Sequence, residues 1–176
     1  GVRRFRDAAT PALQEQIKAL TTQESIHSRE HVFFNQQATA AGYDLTKINR
    51  VIDQRLSFGR SLPAVYQLAA TMALEHFTAV LAHAVLSDPR HLENAPPGMQ
   101  LMWRWHAIEE VEHKGVAFDT WMAARESSWR ITRWFARVRA MFMATVIFCE
   151  FIVRGTKLFL EQDNINNVKS WFRLFT

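Results

Sequence analysis

Two Glu-x-x-His pairs stand out in the chain: Glu24 with His27, and Glu110 with His113. Residues three apart share one face of a helix, so in each pair a carboxylate and an imidazole can reach one metal ion. His31 lies four positions beyond His27, and His106 four before Glu110, which extends each stripe by a turn. A further carboxylate, Glu75, is the only residue fully charged at neutral pH between Arg60 and Asp88. Its surroundings in sequence are apolar nearly all round, the pattern of a buried helix. A carboxylate there is costly unless it is paired, protonated or bound to a metal. Each feature alone has a plain alternative: a solvated helix face for either pair, and a neutral, hydrogen-bonded core residue for Glu75. Glu109 and Glu112 fall off the stripe that carries Glu110 and His113. They are expected in solvent or supporting the ligands from behind.

Helices must bring these residues to one level. Thr10 followed by Pro11 is an N-cap with proline at the first helical position, and Gly42 is a stop signal for a helix reaching about Ala41. Asp44 caps a shorter helix through about Phe58. Ser61 and Pro63 open a third, which Ser87, Asp88 and Pro89 close. A fourth is expected over roughly residues 99–126 and a long fifth from Ser127 or Ser128 to about Glu161, with a short apolar helix after it. No stretch alternates with period two, so strands are not expected. Glu24 lies 13 residues past Pro11, Glu75 12 past Pro63 and Glu110 11 past Met99. At 1.5 Å per residue, each is roughly 16–20 Å along its helix, so the ligand-type side chains fall in one layer.

The pattern predicts an all-α, ferritin-like bundle over residues 1–126, with a basic and apolar helical extension over 127–176. Carboxylate-bridged dimetal bundles take a lone Glu from each of two helices and Glu-x-x-His from each of two others. Here one lone Glu, Glu75, is present, and a second belongs upstream of Thr10. The chain opens on Gly1, its first methionine is Met72, and no signal-peptide pattern follows, so it reads as processed or partial.

The strings QESIHSREHVFFN from Gln23, TMALEHFTAV from Thr71 and LMWRWHAIEEVEHKGVAFD from Leu101 resemble the bacterial family of predicted metal-dependent hydrolases. VRRFRD from Val2 resembles the segment after that family's first helix. The resemblance covers about residues 2–160. It implies a ferritin-like fold, a ligand set of Glu24, His27, Glu75, Glu110 and His113, and an upstream Glu that completes it. His31, His106 and Glu109 are expected as supporting residues or extra ligands.

Two metal ions are expected, iron first, with manganese or zinc as alternatives. Phe33, Phe34, Leu74, Phe77, Trp103, Trp105 and Phe118 neighbour the motifs and suit a small apolar substrate. On that ground the expectation is oxygen-dependent oxidation at a di-iron centre, with metal-dependent hydrolysis as the alternative. A non-catalytic, membrane-associated helical subunit is a third reading. No residue is assigned a catalytic role beyond metal binding.

The single cysteine, Cys149, excludes an internal disulfide and suits a reducing, cytoplasmic setting. Net charge is +4, and Arg125, Arg130, Arg133, Arg137 and Arg139 cluster with only Glu126 against them. Residues 140–149 are uncharged, half the length needed to span a bilayer. Arg130, Arg133, Arg137 and Arg139 are therefore expected at a membrane surface, on the inner face, or at a homodimer seam, unless the helix simply covers the bundle. Nucleic acid is not expected, because no DNA-binding layout accompanies the arginines.

Overall fold

A computed structural model describes residues 1–173. After a 3-10 turn over Val2–Ala8 come α1 (Pro11–Ala40), α2 (Thr46–Ser61), α3 (Ala64–Ser87), α4 (Pro97–Ala124), α5 (Arg130–Gln162) and α6 (Val168–Arg173). A second 3-10 turn, Pro89–Leu92, links α3 to α4. The described residues contain no strand, and the protein is all-α. Helix boundaries follow the local signals. Thr10 Oγ1 accepts from Leu13 N–H at 3.4 Å, and Asp44 Oδ1 from Thr46 N–H at 2.8 Å. Gly42 sits at φ 98°, where a side chain would be strained, and lets Tyr43 N–H reach Ala38 C=O at 3.1 Å. Asn164, at φ 59°, ends α5 the same way, with Ile165 N–H on Leu160 C=O.

The helices fall into two compact units, one of Gly1–Arg29 with Leu62–Ala144 and one of Glu30–Ser61 with Thr145 onward. α1 and α5 are each divided between the two units. The second unit is joined by polar contacts: Arg55 and Arg154 each meet Glu150 at 2.8 Å, and the Tyr43 hydroxyl donates to Asp163 at 2.7 Å.

The first unit holds the main core. Leu13, Ile17 and Leu20 of α1, Leu68, Ala69 and Met72 of α3, and Ala117 and Trp121 of α4 form one buried cluster with Val2 and Ala9. Phe5, in the opening turn, packs against it, as do Ala136 and Ala140 of α5. The spacings 13-17-20, 68-72 and 117-121 are the three- and four-residue steps of a single helix face. In α1 and α3 these core residues precede the acidic positions, whereas in α4 they follow them. α4 therefore runs antiparallel to both, and Glu24, Glu75 and Glu110 arrive at one level above the core.

α3 is less enclosed than its composition suggests. Leu68, Ala69, Met72, Ala73, Ala79 and Ala82 are buried, but Leu74, Val80, Leu81 and Leu86 are exposed. By length and mean hydropathy α3 could cross a membrane, and a third of its most apolar stretch is buried inside the unit. Its close packing on α4 and the Glu75 carboxylate at its middle favour a core-helix reading.

Because Leu68 is fully buried in this cluster, Leu68→Ala is expected to cost about 2–5 kcal/mol. Leu101→Ala, at a position 73% exposed, is expected to cost less than about 0.5 kcal/mol. Urea unfolding of both variants checks the contrast.

Candidate metal centre

On each of three helices the stripe that builds the core continues into ligand-type residues. In α1, Leu13, Ile17 and Leu20 lead on to Glu24 and His27. In α3, Leu68 and Met72 lead to Glu75, and in α4 Glu110 and His113 precede Ala117 and Trp121. Burial of the apolar part of each stripe thus carries the polar part inside. His27, Glu109, Glu110 and His113 are all buried.

Ligand atoms of Glu24, His27, Glu110 and His113 lie within 4.8 Å of one another. His27 Nδ1 is 3.6 Å from Glu24 Oε1 and 3.5 Å from Glu110 Oε1. His113 Nδ1 is 3.0 Å from Glu24 Oε1 and 3.7 Å from Glu75 Oε2. Donors about 2.0–2.2 Å from a shared ion stand roughly 3–3.5 Å apart at right or tetrahedral angles, so these separations are those of atoms able to share a cation.

The polarity of the contacts makes the stronger case. Glu112 Oε2 accepts from the Gln23 amide nitrogen at 3.3 Å. A carboxylate only accepts, so the Gln23 amide oxygen is the atom turned to His113 Nε2, at 3.2 Å. That oxygen in turn accepts, so His113 carries its proton on Nε2. When the ring is neutral, its Nδ1 then presents a lone pair to two carboxylates. Although Glu24 Oε1 is only 3.0 Å away, Nδ1 is buried without a hydrogen-bond partner, as is Glu109 Oε2. Acceptors facing acceptors require either an extra proton or a cation between them, and the residues present fit a divalent ion. Gln23 was not expected in this role, since nothing in the sequence distinguishes it from an ordinary polar residue, whereas Glu112 takes one of the two places expected for it, behind a ligand.

The electrostatics follow. The His113 ring beside it holds the Glu24 carboxyl below the usual carboxylate range, against the opposing effect of burial. Burial, reinforced by Glu24 and Glu110, pushes the Glu75 carboxyl up to about 7. Burial would lower the His113 pKa, but Glu24, Glu75 and Glu110 together raise it.

The other expected residues are placed as follows. His106 Nε2 is 3.7 Å from Glu110 Oε1, and its ring centroid is 4.0 Å from that of His27. Glu109 is buried rather than solvated, with Oε2 3.5 Å from His27 Nε2. His31 is exposed, lies beyond Arg29 in the second unit, and is not among the converging donors. Trp105 meets His27 edge-on at 5.7 Å between centroids, and Trp103 meets His106 at 5.4 Å. Leu74 and Phe118 are exposed, and the Arg137 guanidinium covers the Phe118 ring at 5.6 Å. Phe33 and Phe34 belong to the second unit.

A raised carboxyl pKa favours the neutral acid in the folded state. With the metal-free protein, Glu75 therefore contributes stability that is complete below its unfolded value of 4.5 and lost as pH rises through about 7. The raised His113 pKa acts in the same sense, its contribution being lost at higher pH. Glu75→Gln, neutral at every pH, is expected to reduce the decline in metal-free thermal stability between pH 4.5 and 7. Melting curves of both proteins in chelator across that interval check this; parallel pH profiles would refute it.

Comparison with known proteins corrects one expectation. The family model described as predicted metal-dependent hydrolase matches residues 1–176. No curated protein and no solved structure matches the chain. The oxygen-dependent di-iron oxidase expected from the aromatic neighbours is overturned by the family match, which falls on the hydrolytic alternative. The physical reason lies in the surroundings of the site. Of the aromatic and aliphatic residues behind that expectation, Trp103 and Trp105 make ring contacts with His106 and His27. The Glu24 side chain is 44% exposed, leaving the cluster open to water. The chain belongs to the family of predicted metal-dependent hydrolases.

Proposed function

We propose that the protein is a hydrolase whose divalent metal is held by Glu24, His27, Glu110 and His113. The observation that supports this most is the convergence of four donors from the inward stripes of two helices, α1 and α4, in a chain of that family. Two imidazoles and two carboxylates are a mixed nitrogen and oxygen set suited to zinc or manganese. A divalent ion bound there supplies Lewis-acid activation of a water and of the bond to be cleaved.

The chain's own residues divide the remaining work. Gln23, anchored by Glu112, orients His113 so that Nδ1 faces the cluster. Such an outer partner sets the tautomer of a ligating histidine. Glu75 Oε2, 3.7 Å from His113 Nδ1, borders the four donors. Beside a cation Glu75 is ionised, and it serves as the base that takes the proton of the attacking water. It then returns that proton to the leaving group as the water oxygen bonds to the electrophilic centre and the scissile bond breaks. The exposed edge of Glu24 is the side from which water and substrate enter. Trp103 and Trp105 offer apolar surface to the substrate beside the two histidines they contact.

Elemental analysis and anaerobic turnover of ester, amide and phosphoester panels test the proposal. Zinc or manganese should copurify, and activity should persist without oxygen, vanish with chelator and return on adding the metal. Glu110→Ala should lose the metal, whereas Glu75→Gln should retain it and lose turnover. Gln23→Leu should weaken metal binding by roughly 10–100-fold. A metal-free protein, or activity strictly dependent on oxygen, would sink the reading.

A further inference from the structure

The first half of α5 is built inside out. Taking Ile131 as the origin and 100° per residue, Ile131, Trp134, Phe135, Val138 and Phe142 fall within about 60° of one line along the helix. Ala136, Ala140 and Ala144 fall on the opposite side. The alanines face the protein: Ala136 and Ala140 pack against the core, and Ala144 is 6% exposed. The large side chains face out, with Phe135 60% and Phe142 66% exposed. Trp129, just before the helix, is 81% exposed. A helix that only covers a bundle places its large apolar residues inward. This one turns them outward as a continuous apolar strip, of the kind that marks an interaction surface.

The charges on its borders identify what covers it. Arg130 and Arg139 lie about 100° and 80° to either side of the strip, and both are exposed. Arg139 sits over the Tyr66 ring at 5.8 Å, which holds it at the edge. Arg133 and Arg137 lie on the alanine side. No Asp or Glu occurs between Glu126 and Glu150. Two copies of this face would bring arginines together with no carboxylate of the segment to meet them. A surface of anionic headgroups over hydrocarbon complements both the strip and its borders. From this arrangement we propose that residues 129–142 dock on an anionic lipid bilayer, lying in its interface rather than crossing it. Phe135, Val138 and Phe142 enter the acyl region, Trp129 and Trp134 sit at headgroup depth, and Arg130 and Arg139 reach up to phosphates.

The 176-residue chain, mixed with vesicles of phosphatidylglycerol and phosphatidylcholine or of phosphatidylcholine alone, tests this by co-sedimentation. It should sediment with the anionic vesicles, less so as salt rises. Replacing Arg130 and Arg139 by Gln together should weaken binding by roughly fivefold per arginine. Phe135→Ser with Phe142→Ser should weaken it by at least about tenfold, with helical circular dichroism retained because both positions are exposed. If the serine pair unfolds the protein, the arginine pair alone decides. Failure to sediment, equal binding to neutral vesicles, or variants that bind like the parent would overturn the proposal. So would a dimer in solution that the serine pair dissociates while no vesicle is bound, which assigns the strip to a second copy of the chain.

Discussion

The Gln23 contact at Nε2 turns His113 Nδ1 towards Glu24 and Glu75, at 3.0 and 3.7 Å. Imidazole and carboxylate atoms packed this closely inside a protein need an added proton or a cation between them. Much else in the first unit serves to impose that arrangement. The core of Leu13, Ile17, Leu20, Leu68, Met72 and Trp121 supplies the burial that holds α1, α3 and α4 in register. The antiparallel course of α4 brings its Glu-x-x-His to the level of its counterpart on α1.

The same constraint gives Glu75 two states. Without a cation, burial together with Glu24 and Glu110 pushes its carboxyl up to about 7. Next to a cation it is ionised, because the charge that burial disfavours is then met by an opposite one. A group that changes protonation with the occupancy of its neighbourhood suits proton transfer in hydrolysis. The partial exposure of Glu24 complements it by giving water a route to the donors.

α5 follows a different logic from the helices that form the centre. Its alanines allow close approach to the core, and the bulk that would normally fill that space is displaced to the outer face. The second half of the helix belongs to the other unit, where Glu150 is met by Arg55 and Arg154.

Several helix ends were legible in the chain because capping is local: Thr10, Gly42 and Asp44 act on bonds within a few residues of themselves. The two Glu-x-x-His pairs and Glu75 were legible because a helix face repeats at a known period and charge in an apolar stretch needs a reason. What lay beyond the sequence was relational. That Glu109 is buried while Glu112 anchors Gln23 depends on which side of α4 meets α1. That His31 lies outside the cluster depends on where the first unit ends along α1. Oxidation was inferred from aromatic and aliphatic neighbours in sequence; of these Trp103 and Trp105 reach histidines of the site, whereas Leu74 and Phe118 are exposed. Periodicity determines which residues share a face; only packing between helices decides what that face meets.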